Sequence, residues 1–157
     1  HHAEMSAKTL SRAELLTFVR EHRYGALGTS ASDGSPQVAL MGLAVTDEFE
    51  FLFDTLGHTR KVANLRRDAR CALTFGSTIG DDHRTLQVEG LADELHGSEL
   101  ERLKPLYFAA FPQGRERASW PGLTYWRVRP HWARFSDFGA TPPLVLTHDA
   151  TALANLR

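Results

Sequence analysis

The sequence predicts a mainly β, α+β domain: a small antiparallel barrel of about six or seven strands with helices at its ends and crossovers. Three observations carry this reading. Apolar runs at residues 24–29, 36–45 and 49–54 follow one another with only short polar turns between them, as in an antiparallel meander. The first of those turns, residues 32–35, holds Asp33-Gly34, and Asp-Gly supplies the positive φ that a tight hairpin demands. Capping-box patterns at Ser11-Arg12-Ala13-Glu14 and Ser98-Glu99-Leu100-Glu101 announce two helices.

The elements follow in order. Leu10 and Leu15 flank the first capping box as a hydrophobic staple, and Leu15, Phe18 and Val19 share one helical face. After the three-strand meander, with Thr46-Asp47-Glu48 as its second turn, a short helix is expected over residues 59–67. Residues 71–76 return as a strand, and a polar, glycine-containing loop occupies 77–82. Residues 84–95 alternate well enough for a long strand, with Leu86 and Val88 on one face. The second capping box opens a helix to about Ala110, carrying Pro105 near an end or at a kink, and Pro112-Gln113-Gly114 breaks it. Residues 125–128 and 131–138 are aromatic-rich and read as a closing pair of strands around Pro130.

Composition narrows the function classes. The chain has 157 residues, 42% hydrophobic and 24% charged, ordinary for one globular domain, expected over residues 5–157 behind a tag remnant at His1 to Glu4. One cysteine, Cys71, excludes an internal disulfide and fits a reducing, cytoplasmic setting. No apolar stretch approaches the ~20 residues of a membrane span, and no signal peptide precedes Met5. A net charge of -1 speaks against a large basic face for nucleic acid.

Several kinds of chemistry lack a motif. There is no Gly-x-Ser-x-Gly elbow and no phosphate loop ending in Gly-Lys-Ser/Thr, and Gly25 and Gly28 do not complete a dinucleotide fingerprint. Neither Cys-x-x-Cys nor His-Glu-x-x-His occurs, so no metal site is expected, and Asp81-Asp82-His83 reads as a solvated loop. No side chain stands out as a general acid or base.

The most informative stretch is residues 55–68, Thr-Leu-Gly-His-Thr-Arg-Lys-Val-Ala-Asn-Leu-Arg-Arg-Asp, which turns from an apolar strand into a short helix. Thr59, Arg60 and Lys61 fall at the helix start. Unpaired N–H groups and partial positive charge make a helix N-terminus receptive to phosphate, and a hydroxyl, a guanidinium and an ammonium placed there add to it. The ordinary alternative is a solvated basic helix.

The run Gly25-Ala26-Leu27-Gly28-Thr29, then Asp33-Gly34-Ser35-Pro36, then a strand, then residues 59–68, resembles the pyridoxamine 5′-phosphate oxidase-like flavoproteins. The likeness resumes at Gln87-Val88-Glu89-Gly90 and at Trp126-Arg127-Val128-Arg129-Pro130. The resemblance implies a six-stranded split barrel that dimerises and binds flavin mononucleotide (FMN) between subunits. It places Arg60 and Lys61 on the flavin phosphate with Thr59 beside them. It lays Ala39, Leu40, Met41 and Gly42 along the isoalloxazine ring through backbone groups, small residues such as Ala39 and Gly42 letting a flat ring approach. Thr85 matches a polar position facing the flavin from the long strand.

Departures matter as much. Ala39 and Ala44 stand where full-length oxidases carry basic side chains, and residues 107–115, Tyr-Phe-Ala-Ala-Phe-Pro-Gln-Gly-Arg, do not reproduce the substrate-phosphate cluster. The expectation is a cytoplasmic homodimeric flavoprotein, an oxidoreductase acting on a small molecule other than a B6 phosphate. Two alternatives stand beside it: a deazaflavin-dependent reductase, and a non-catalytic flavin or haem carrier or sensor. Four aromatics, Trp126, Trp132, Phe135 and Phe138, are expected at the dimer interface.

Overall fold

A computed structural model of the chain describes residues 9–76 and 80–157. The tag remnant at His1 to Glu4 and positions 77–79 of the expected loop lie outside the described residues.

Helix α1 (Arg12–Glu21) begins as its sequence signals. Ser11 Oγ accepts from the Glu14 N–H at 3.1 Å and Glu14 Oε1 accepts from the Ser11 N–H at 2.9 Å, a complete capping box. Leu15, Leu16, Phe18 and Val19 are buried on its inner face. Strands β1 (Tyr24–Ser30) and β2 (Pro36–Gly42) form the expected hairpin, with Gly34 at φ 86° and Asp33 Oδ1 accepting from the Ser35 N–H at 2.9 Å.

The expected strand over 36–45 is two strands. β2 pairs with β1, whereas β3 (Ala44–Val45) pairs with β4 (Phe51–Leu56). Along the sheet the order is β2-β1-β5-β6-β7-β4-β3, all pairs antiparallel, with β5 (Arg70–Gly76), β6 (Arg84–Glu94) and β7 (Leu123–Asp137). The two ends of that path, β2 and β3, are joined by the single residue Leu43. A one-residue link spans only ~7 Å, so the sheet curls until these two strands come together at Leu43. This is the mainly β split barrel with flanking helices that the sequence predicts. Eight strands build it, β3 and a final β8 (Leu144–Asp149) standing beyond the six that the resemblance implies.

Phe49 does not begin β4. It sits in the preceding turn at φ 62°, a costly conformation for a bulky residue, and its ring packs at 5.0 Å against Phe51 in the core. Residues 125–128 and 131–138 likewise are one strand rather than a pair. β7 runs through Pro130 at a bulge of its own: opposite Glu89 and Gly90 of β6 it carries the extra residue His131, and a bulge tolerates a residue with no N–H. β7 lies between β6 and β4 in its first half and between β6 and β8 in its second.

The barrel interior is set by register. Leu27, Leu73, Val88 and Ala133 stand side by side across β1, β5, β6 and β7, each nearly inaccessible. Trp126 and Phe135 also belong to this core, correcting their placement at an interface; Trp132 is half-buried and Phe138 exposed. A second apolar cluster joins Leu52 and Tyr125 to α3 (Gly97–Ala110) through Leu103, Tyr107 and Phe108. Here the second capping box fails: α3 starts at Gly97 behind His96, with no side-chain cap, so Ser98 is already inside the helix and Glu101 pairs with Lys104 at 3.2 Å. α3 continues through Pro105. The short α4 (Gly114–Arg117) precedes β7, and α5 (Ala150–Ala154) follows β8.

Candidate functional site

Helix α2 (Arg60–Arg67) grows directly out of β4. Phe51 and Phe53 anchor the strand in the core, and Val62 and Leu65 anchor the helix. Gly57 makes the corner between them: its N–H donates to Gly122 O at 2.8 Å, and a Cβ at Gly57 would lie only 3.2 Å from that oxygen. Thr59 is the N-cap residue, but its hydroxyl donates back to Leu56 O at 2.9 Å and does not cap the helix.

The first turn of α2 faces the edge strand β2. Between them lies a groove of about 380 Å³ lined by Leu27, Thr29, Gln37, Val38, Ala39 and the segment His58 to Lys61. Ala39, Thr59, Arg60 and Lys61 are therefore brought together as expected. Leu40, Met41 and Gly42 continue along β2 away from that groove. Leu40 is 75% exposed on the outer face, and Met41 packs against the core. Gly42 is small for a local reason: a Cβ there would lie 2.9 Å from the Phe111 ring. Thr85 is on β6, opposite Gly76 and Ser136, with β1 and β5 separating it from β2; it does not line the groove.

Charge pairing separates the basic residues. Arg66 makes a two-point contact with Glu94 at 3.0 and 3.1 Å, Arg70 is paired with Asp68 at 2.7 Å, and Arg67 donates to Ser30 O. Among the described residues no carboxylate pairs with Arg60 or Lys61. Lys61 Nζ donates to Thr55 Oγ1 at 3.3 Å, and partial burial holds its pKa below the ordinary lysine value. A partly buried ammonium bonded to one hydroxyl, with no carboxylate partner among the described residues, calls for a counter-charge. An anionic ligand in the groove fits that requirement.

Thr29 and Gln37 also line the groove, with Thr55 bonded to Lys61 and Asn64 behind them, and none of the four was named as a site residue from sequence. Asn64 is the one legible in retrospect: a polar residue between Val62 and Leu65 on the buried side of a helix must find partners. It finds Thr29 and Gln37.

A second, wider depression of about 670 Å³ lies on the outer face of the sheet, floored by Gly28, Ala72 and Gly90 and bounded by Val38, Arg70, Glu89 and His131. Elsewhere, the Arg117 guanidinium is tied to Asp54 Oδ2 at 3.2 Å and to the Tyr107 hydroxyl at 3.3 Å. Burial keeps the Tyr107 phenol above its ordinary pKa. Asp82, in the loop read as solvated, is bonded to Arg84 and His22. Among the described residues no helix is long and apolar enough to cross a membrane.

The sequence pattern of pyridoxamine 5′-phosphate oxidase matches residues 11–137. Solved structures share the fold. A heme binding protein from Mycobacterium smegmatis superposes with a TM-score of 0.80 at 15% identity, over 95% of this chain and 62% of that one. A protein of unknown function from Agrobacterium tumefaciens strain C58 gives 0.69 at 23% identity, over 77% of this chain and 54% of that one. A Clostridium acetobutylicum protein related to general stress protein 26, of the pyridoxinephosphate oxidase family, gives 0.68 at 18% identity, over 90% of this chain and 96% of that one. This chain thus spans about three fifths and about half the length of the first two. No protein of curated function matches the sequence.

Proposed function

The chain belongs to the pyridoxamine 5′-phosphate oxidase family, and from that premise we propose that it binds FMN in the groove between β2 and α2 and serves as a cytoplasmic oxidoreductase on a small molecule. The observation that carries this reading is the pair Arg60 and Lys61, which line the groove without a carboxylate partner among the described residues while Arg66 and Arg70 are neutralised close by. Hydrogen bonds to a charged group are stronger than neutral ones, so a terminal phosphate on these two cations anchors the ligand. β2 is an edge strand, so its backbone groups on the free side are available to a flat ring lying along Ala39 to Gly42. When bound, the flavin supplies hydride or electron transfer, and the protein positions it.

The reading includes a homodimer. Val38 and Leu40 are 72% and 75% exposed on the outer face, in register with the small residues Gly28 and Ala26 of β1 and then Ala72 and Thr74 of β5. A second copy laid on this face buries the two apolar side chains and closes the open side of the groove.

The test is titration of the purified protein with FMN and with riboflavin, followed by quenching of flavin fluorescence. FMN is expected to bind far more tightly, because only it carries the phosphate. Equal affinity for both, or no binding of either, overturns the reading. A haem carrier is the second reading, supported by His131 beside the 670 Å³ depression and by the fold shared with the mycobacterial heme binding protein. A Soret band on adding haem, with FMN failing to bind, selects it.

A further inference from the structure

Resting on the flavin reading above, we propose that Gln37 is a further ligand-binding residue, donating its carboxamide N–H to an acceptor atom of the bound cofactor, and that Asn64 is the positioning residue that aims it. Asn64 lies on α2 one turn beyond Arg60 and Lys61 and is only 5% exposed. Its Nδ2 donates to Thr29 Oγ1 at 3.0 Å and to Gln37 Oε1 at 2.9 Å, so both hydrogens of that nitrogen are committed. A carboxamide has one accepting oxygen and one donating nitrogen. With Oε1 held by Asn64, the free end of Gln37 is Nε2, and Gln37 lines the same groove as Thr59, Arg60 and Lys61.

Thr29 follows the same logic. Its oxygen accepts from Asn64, which leaves its hydrogen to donate, and Thr29 also lines the groove. The groove therefore presents donors from both walls: the Gln37 N–H₂ and the Thr29 hydroxyl from the sheet, the guanidinium and ammonium from α2. Such a lining selects a ligand rich in acceptors along this stretch and disfavours one that presents N–H groups there. A single buried amide thus sets the polarity of two side chains on two different strands.

The experiment is a double-mutant cycle on FMN affinity, comparing the parent, Gln37→Met, Asn64→Leu and the double variant, with thermal melts to follow folding. Both substitutions keep roughly the volume of the original side chain. Each single variant is expected to lose about tenfold in affinity, the worth of a well-placed hydrogen bond. The double variant is expected to lose no more than the weaker-binding single, because Asn64 acts through Gln37. Losses that multiply to about a hundredfold assign Asn64 a merely structural part and overturn its positioning role. Should Asn64→Leu fail to fold, Gln37→Met alone decides: full affinity overturns the proposal, a loss with an unchanged melting temperature supports it. If the parent binds no FMN, the flavin reading and this inference fall together; if the parent binds and Gln37→Met binds equally, this inference alone falls.

Discussion

Arg127 Nη1 lies 2.7 Å from Glu99 Oε2, joining the middle of β7 to the first turn of α3. Arg127 is 5% exposed, and its guanidinium also bonds both oxygens of Asp93 on β6, at 3.2 and 3.0 Å. A buried charge needs such complete pairing, since removing one partner leaves the other uncompensated.

Acid should loosen this junction. The Arg102 guanidinium, and then that of Arg127, hold the Glu99 carboxyl at about 2, below its ordinary value of 4.5. A depressed carboxylate stabilises the fold fully above its ordinary pKa, and that contribution fades as pH falls through the folded value. Urea midpoints of Glu99→Gln and the parent should differ most above about pH 4.5 and converge near pH 2. A gap that stays constant across that range would show that the carboxylate does not titrate with folding.

Arg60→Ala combined with Lys61→Ala should weaken FMN by roughly 10²–10⁴-fold, at ~1.5–3 kcal/mol for each hydrogen bond to charge. Riboflavin should lose far less. Melting temperature should change little, because neither side chain is in the core and neither has an acidic partner among the described residues. Parallel losses for both ligands, read by fluorescence quenching, would sink the phosphate assignment.

Light scattering at micromolar concentration should give twice the 17.5 kDa chain mass. Val38→Lys with Leu40→Lys, which places two charges on the exposed apolar face, should shift the protein toward monomer. A parent of 17.5 kDa removes the dimer and the shared flavin site with it.

Pyridoxine or pyridoxamine phosphate should be a poor substrate. Turnover of a phosphorylated substrate needs a second anion site against the flavin, so that phosphate binding orients the reacting carbon. In the region where such a cluster belongs, Arg117 is already neutralised by Asp54, Tyr107 is buried, and Arg115 stacks over Phe108 at 5.1 Å. With saturating FMN, pyridoxal phosphate formation at ~1 s⁻¹ or more would restore the B6 oxidase assignment.

Two glycines in the sheet should behave oppositely. At Gly90 a Cβ would lie 2.6 Å from Arg129 O, a backbone atom fixed by the bulge, so Gly90→Ala should cost about 1–3 kcal/mol. At Gly28 the nearest atom is 3.7 Å away, and Gly28→Ala should be neutral or stabilising by up to about 1 kcal/mol through the unfolded chain. Urea denaturation of both variants tests the close approach, and equal effects would contradict it.

Local chemistry was legible in the sequence because its causes lie within a few residues. The α1 capping box needs only Ser11 and Glu14, the hairpin needs only Asp33-Gly34, and the start of α2 at Thr59-Arg60-Lys61 follows directly from the end of an apolar strand. The family resemblance rests on such short runs in order, which is why the fold class could be predicted. The second capping box looked equally good and failed, because α3 begins at Gly97, which puts Ser98 inside the helix and leaves Glu101 paired with Lys104.

What the tertiary structure alone decided is which groups meet and which charges go unpaired. Leu43 closes the barrel only because β2 and β3 choose different neighbours, and β7 passes Pro130 where its extra residue His131 bulges against β6. Arg60, Lys61, Arg66, Arg67 and Arg70 read alike as a basic run. Folding brings Glu94 from β6 to Arg66 and Ser30 O to Arg67, and leaves Arg60 and Lys61 facing a groove. Asn64 is 35 positions from Thr29 and 27 from Gln37 in the chain, and no local pattern could announce their contact. Pairing across such distances depends on register and strand order, which short-range propensity does not encode.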